Sequence, residues 1–467
     1  MKFAAIDIGS SFTKAAVIDT DGPTLSQRRV EQAPPRRRLD NPYAYEVPAN
    51  HIFDEVKRII DESGTRVGGL DGVILATQMH GYVLSGGDSP GEDMYVSWQD
   101  ARCLENIPGE DATYLDRLRM LFPQEKMRDN GVAIKPSLAM CNLYARQYET
   151  GRVFDSEFFT LGSYIISRLT GNNVCHITNA APTGFVDIRH RGWNTEIIRE
   201  AGFAGLRFPA LTDAMGVCGL YRAPWGETPI YPDVGDQQTA TLGCLPLPGE
   251  VVANIATAAQ LGQIVDRFVP RAEMAYETRP YFEGRFLNTI SNMPAGRTLE
   301  VFVRLIEEIG ERIFDIPRNA DAVWKRLDDI LSVSPVMSGL ESDLGVDPNF
   351  YETPDSLPSG AIRNITNRNL TLESLFAATY REMAAIYSRY LGRLCDATPC
   401  TGLVFSGGVS WKNSLLTDAI ARTAGLPGRR SPMRDEVFLG LARLALVLSG
   451  RCETLEQTRG MTLKELP

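Results

Sequence analysis

Short apolar runs alternate with amphipathic stretches along this chain, and that alternation predicts an α/β protein. Phe3 to Ile8 reads as a strand, then a Gly9-Ser10-Ser11 turn, then a second strand through Ala15 to Ile18 closed by Asp19-Thr20-Asp21-Gly22. The two form a predicted hairpin with small hydroxyl residues at its tip and Asp7 on its first strand. A helix is expected over 53–62, with Phe53, Val56, Ile59 and Ile60 on one face. The apolar strand 72–76 ends in Thr77-Gln78-Met79-His80-Gly81. Polar residues at the carboxyl end of such a strand are where α/β proteins place ligand contacts. Residues 136–150 and 161–169 carry helical patterns, and Tyr231 to Gln238 reads as a second strand–turn unit with a helix starting near Thr239. The stretch Leu245-Pro246-Leu247-Pro248-Gly249-Glu250 is the linker candidate. Beyond it, a strand over 251–257 opens a second half. That half holds a long helix over 371–391, with Leu372, Leu375, Phe376, Thr379, Met383, Ile386, Tyr387 and Tyr390 in one stripe. A strand over 402–405 then runs into the loop Ser406-Gly407-Gly408-Val409-Ser410, before a helix over 414–423.

Composition narrows the function. The chain has 467 residues, 43% of them apolar, enough for two or three domains with sizeable cores. No apolar run approaches the roughly 20 residues that span a bilayer, so no membrane association is expected. A net charge of −10 argues against a nucleic-acid-coating protein. The first residues, with Asp7 interrupting the apolar patch, do not read as a signal peptide, so a cytoplasmic location is expected. The eight cysteines, with Cys395 and Cys400 the one close pair, read as reduced thiols. The four histidines and the cysteines show no zinc spacing. Residues 23–50, rich in Pro and Arg and including Arg36-Arg37-Arg38, read as a solvated excursion.

Neither GxxxxGK[ST] nor GxGxxG occurs, so a bound nucleotide needs another cradle. The hairpin tip, Gly9, Ser10 and Ser11 with Thr13 and Lys14, offers one, because glycine admits close approach and hydroxyls and amides hold phosphate oxygens. Asp7 beside it could hold a hydrated Mg²⁺. Asp236, after Gly235, reads either as a general base or as the cap of the following helix. Gln78, Met79 and His80 read as ligand contacts, with a core histidine as the alternative. On an extended segment, alternation would put Trp98, Asp100 and Arg102 on one side, an aromatic wall with fixed polar groups suited to a sugar. A surface ion pair is the alternative there.

The succession DIGSSFTK, TQMHG, WQDAR, SRLTG, PTGFVDIRHRGW, VGDQQTATLGC, NIATAAQLG and FSGGVSWKNSLLTDAIARTAGLP resembles the FGGY carbohydrate kinase family over nearly the whole chain. The resemblance implies a two-lobed actin-like ATPase (ribonuclease H-like) fold with an interlobe cleft. Residues 1–246 would form the lobe with the sugar site, phosphate hairpin and base, and 247–467 the nucleotide lobe. It implies ATP and Mg²⁺ as cofactors and a small sugar as partner, with a possible second copy of the chain. Asp236 matches the family's catalytic base, Met79 and His80 its sugar-binding pair, and Gln237 the neighbouring contact. Asp7 matches the metal-associated aspartate; Ser10, Ser11 and Lys14 match the phosphate hairpin. Thr257 matches the second phosphate loop, and Gly407 and Gly408, with Lys412 nearby, the adenosine site. Two positions depart from the pattern: Ala256 stands where glycine is usual, and the adenosine loop reads Ser406-Gly407-Gly408-Val409. The segments NIATAAQLGQIV and RPYFEGRFLNTIS are most similar to those of sedoheptulokinases, so sedoheptulose is the expected acceptor. Xylulose, another ketose or polyol, and a non-catalytic actin-like role are the alternatives.

Overall fold

A computed structural model describes residues 1–466 except 23, 32–40, 87–92, 271–274, 356 and 397, so the Arg36-Arg37-Arg38 run lies outside the described residues. The chain opens with the predicted hairpin, β1 (Lys2–Ile8) and β2 (Phe12–Asp19), followed by β3 (Thr24–Glu31). Next come α1 (Ala49–Val67), β4 (Gly72–Thr77) and β5 (Met94–Val96). After helices at Ala139–Thr150 and Leu161–Thr170, β6 (Val234–Gly235) runs directly into α2 (Asp236–Cys244). The helix thus starts three residues before the expected Thr239, because Gly235 already has the extended backbone of a cap. There follow β7 (Glu250–Ile255), β8 (Ala259–Val265), β9 (Glu277–Pro280) and α3 (Gly296–Phe314). The chain closes with α4 (Leu372–Cys395), β10 (Gly402–Ser406), α5 (Gly408–Lys412), α6 (Glu436–Leu448) and β11 (Lys464–Leu466).

Two compact units result, and they are not the two consecutive blocks expected. The first takes 1–245, 265–287 and 435–467; the second takes 246–264 and 288–434. The chain leaves the first unit after Leu245 and returns to it twice. The cause of the last return is local. A Cβ on Gly243 would fall 1.9 Å from the Glu436 carbonyl, and one on Gly440 2.0 Å from the Thr239 carbonyl. Two glycines therefore let α2 and α6 meet backbone to backbone, and β11 pairs in parallel with β3.

The first unit's sheet runs Gly219–Ala223, Gly226–Ile230, β4, β1, β2, β3, β11, with β6 also pairing β4. Strands β1 and β4 lie parallel, and every residue of β4 is buried, as its unbroken apolar run requires. Helix α1 covers this sheet with Ile52, Phe53, Val56, Ile59 and Ile60. In the second unit β8 pairs antiparallel with β7, and β7 parallel with β10. Helix α4 is capped by the Thr371 side chain and buries Phe376, Met383, Tyr387 and Tyr390. Cys395 and Cys400 are joined as a disulfide, with Cα atoms 5.3 Å apart, which corrects the expectation of reduced thiols there. The end of α4 and the start of β10 bring the pair within bonding reach. The other six cysteines form no disulfide. No helix among the described residues is long and apolar enough to cross a membrane.

Candidate active site

Strand register builds the first part of the site. Asp7 stands opposite Lys14, and Ile8 opposite Thr13. The tip closes through Gly9 N donating to Phe12 O at 3.1 Å. Ser11 is exposed, Ser10 half-buried and Thr13 buried. Lys14 Nζ donates to Asp435 at 2.8 Å, at the start of α6. Gln78 braces the tip from β4: its backbone N–H donates to Ile8 O at 2.9 Å and its side-chain amide to Gly9 O at 3.2 Å.

Asp236 is the first residue of α2, and its Oδ1 accepts from the Gln237 N–H at 2.7 Å. Gly235 holds the cap position, so the cap alternative for Asp236 does not hold. Asp7 and Asp236 both keep some solvent contact while lying deep within the chain. Burial pushes the Asp236 carboxyl up to about 6, against its backbone hydrogen bond and the Arg279 charge. Burial and then the Asp236 charge push Asp7 up to about 7, with Lys14 acting the other way. The Asp236 charge disfavours ionisation of Asp7, and a hydrated cation beside Asp7 would offset it. Among the described residues no group of three or more His, Cys, Asp or Glu could hold a metal ion.

A buried lattice adjoins Asp236. Gln237 Oε1 accepts from Arg279 Nη1 at 2.6 Å, and Arg279 Nη2 donates to Glu277 at 2.8 Å. Glu277 also accepts from Lys135 Nζ at 2.5 Å. The Arg279 guanidinium lies 3.5 Å from His80 Nε2. Burial, then the Arg279 and Lys135 charges, hold the His80 imidazole well below its usual range, so it is neutral. Burial alone would raise the Glu277 carboxyl, but Lys135 and Arg279 outweigh it and bring it down to about 2. Met79 is buried, and a Cβ on Gly235 would fall 2.7 Å from its sulfur, so the Met79 loop packs against the start of α2. His80 itself has φ +72°, the left-handed region. Sequence reading missed Lys135, Glu277 and Arg279. The one available signal was the spacing of Glu277 and Arg279, two apart on a strand and hence on one face.

Trp98, Asp100 and Arg102 do not form the expected wall. Residues 97–101 turn rather than extend, so alternation does not apply. Arg102 Nε donates to Asp100 at 2.8 Å and Nη2 at 2.7 Å, with Glu46 as a further partner. Both side chains are almost fully buried, while Trp98 is 41% exposed. The ion-pair alternative is the correct one, except that the pair is internal. Its charges are spent on each other, as burial demands.

The second unit holds the remaining predicted residues. Thr257 sits at the tip joining β7 to β8, and its carbonyl accepts from Arg297 N at 2.9 Å. The Ala256 carbonyl accepts from Gly296 N, at the start of α3. Gly407 has φ +82°, and a Cβ there would fall 2.6 Å from the Ile255 carbonyl, so only glycine fits. Gly408 faces open space, and Lys412 is exposed at the end of α5.

Fold and site together define an α/β protein with a hydroxyl-bearing hairpin and a buried carboxylate, Asp236, at a helix start. The chain belongs to the FGGY family of carbohydrate kinases, whose N-terminal domain profile matches residues 3–243. A glycerol kinase of Haloferax volcanii is 27% identical over 270 residues, 51% of this chain and 50% of that protein. The chain thus aligns with about half the length of that relative. Among solved structures, ligand-bound xylulose kinase from Lactobacillus acidophilus has TM-score 0.81 at 16% identity, covering 98% of this chain and 91% of that one. Plasmodium falciparum glycerol kinase with ADP has TM-score 0.77 at 14% identity, covering 98% and 91%. The fold is therefore that of the family's sugar kinases.

Proposed function

We propose that the chain transfers the γ-phosphoryl group of ATP to a hydroxyl of a polyhydroxylated acceptor. The observation that carries this reading is Asp236: a carboxylate held near pH 6, at the start of a helix, beside a buried lattice of hydrogen-bonding groups. In this reading Asp236 accepts the proton of the attacking hydroxyl. Gln237, fixed by Arg279, and neutral His80 orient the acceptor. The hairpin tip and Lys14 face the phosphates, and Asp7 holds the hydrated cation. A bound Mg²⁺ would supply charge neutralisation on the phosphoryl oxygens. Thr257, Gly407, Gly408 and Lys412 serve the nucleotide, as the resemblance implies. The supply of ATP fits the cytoplasmic location expected from the sequence.

Sedoheptulose is the acceptor suggested by the sequence around residues 254–291. Xylulose is the second reading, favoured by the fold likeness to a xylulose kinase. Initial rates of ADP release over glycerol, xylulose, sedoheptulose and gluconate separate them, with phosphorylated product identified by phosphorus NMR. Acceptor-dependent ADP release with the highest kcat/KM for sedoheptulose is expected. A tenfold preference for xylulose would establish the second reading, and no acceptor dependence at all would overturn the kinase function.

A further inference from the structure

Tyr95 lies on β5, opposite Val83, and is 1% exposed. Its ring packs in the apolar core with Val83, Phe159 and Tyr164. Its hydroxyl, though buried, has no hydrogen-bond partner among the described residues. A phenylalanine would fill the same space without stranding a polar group, and buried hydroxyls normally have partners. The position of this hydroxyl suggests what it lacks. A Cβ on Gly81 would fall 2.3 Å from Tyr95 Oη, so the hydroxyl rests against the loop carrying His80, and only a glycine leaves it room. The Asp236 carboxylate is near enough that its charge, after burial, pushes the phenol further up, so the hydroxyl stays a donor. Further buried polar atoms of the same neighbourhood lack a partner among the described residues, including Gln78 Oε1, just before Met79, and Arg279 Nε in the lattice beside His80.

We propose that Tyr95 is an acceptor-binding residue, its hydroxyl donating to an oxygen of the polyol held between His80 and Asp236. This rests on the kinase reading above and deepens it. The site takes an acceptor bearing several hydroxyls, because one reacting hydroxyl at Asp236 would leave Tyr95 Oη, Gln78 Oε1 and Arg279 Nε unanswered. Losing one of these bonds strands its partner on the acceptor, which is what makes such a site selective.

The test is Tyr95→Phe, which deletes one oxygen. Initial rates of ADP release give kcat/KM for each acceptor and KM for ATP; thermal unfolding is followed alongside. The expected result is a fall of about tenfold or more in kcat/KM for the best polyol, an unchanged KM for ATP, and an unfolding midpoint equal to or above that of the wild type. Unchanged acceptor kinetics would overturn the proposal and leave the kinase reading standing. So would an equal loss for acceptor and ATP, or a lowered midpoint with unaltered kcat/KM. Absence of acceptor-dependent ADP release in the wild type would instead bring down the kinase reading, and this proposal with it.

Discussion

The two units each contain a hairpin whose first strand lies parallel to a central buried strand, yet they are furnished with opposite chemistry. In the first, Asp7 faces Lys14 across the hairpin; at the matching place in the second, Asn254 faces Gln260. The parallel neighbours are Ala76 and Ser406. Around the first tip gather Asp236, Asp435 and the side chain of Gln78. Around the second, the approach is by backbone: Gly296 and Arg297 N–H groups on the tip carbonyls, and Gly407 against Ile255. One topology thus carries two kinds of furnishing. At the first hairpin, titratable groups are buried in company and the proton affinities of Asp7 and Asp236 rise. At the second, neutral amides and close-packed glycines take their place.

The largest effect expected from breaking this contrast is at Asp236. Asp236→Asn keeps the helix start but removes the proton acceptor, so turnover should fall by about 10²–10⁴ while acceptor binding, followed by calorimetry, stays within about tenfold. Near-normal kcat would remove Asp236 from the mechanism. In the second unit the backbone is the sensitive part. Gly407→Val places a side chain where φ is +82° and the Ile255 carbonyl is in the way, a cost of about 1–3 kcal/mol from the backbone alone. Both the unfolding midpoint and ADP affinity should drop. Gly408→Ala, with open space around it, should leave the midpoint unchanged, and an equal loss in the two variants would refute the steric account.

Smaller effects come from exchanging the two hairpins' chemistry. The Asp7 carboxyl is raised from 3.8 to about 7, so its contribution favours the fold below pH 4 and is lost as pH rises through 7. Asp7→Asn should therefore raise the unfolding midpoint by about 2–4 °C at pH 8 while turnover falls. The gain should shrink as the pH drops and vanish below about 4. Asn254→Asp should do the reverse, lowering the midpoint at pH 8. If both substitutions act with the same sign, the contrast between the hairpins is false. Least of all, reducing Cys395–Cys400 should lower the midpoint by about 1–3 °C and leave acceptor kinetics alone, since the closed loop is short and the bond lies away from the carboxylates in sequence and unit.

What could be read from the sequence divides along the same line. The hairpin, the strand expected over 72–76 and the long helix follow from local periodicity and turn residues, and all are present. Asp236 stood out because a glycine precedes it at a strand end. The lattice of Lys135, Glu277 and Arg279 did not, because Lys135 lies 142 residues before Glu277 and meets it only through tertiary packing. The same holds for Asp435 reaching Lys14 and for the return of α6 to the first unit. The wall of Trp98, Asp100 and Arg102 is absent for a different reason: the segment turns, so alternation does not apply, and two opposite charges two residues apart satisfy each other.

Carboxylates at and beside the first hairpin hold protons more tightly than usual. The pH dependence of kcat/KM for the best acceptor, measured between pH 5 and 9 with ATP saturating, tests this most directly. Asp236 must be ionised to accept a proton, and its carboxyl is raised to about 6. The profile should be level at high pH and fall by about tenfold per unit once the pH drops below about 6. A rate constant that stays level down to pH 5 would contradict the assignment of the proton-accepting role to Asp236.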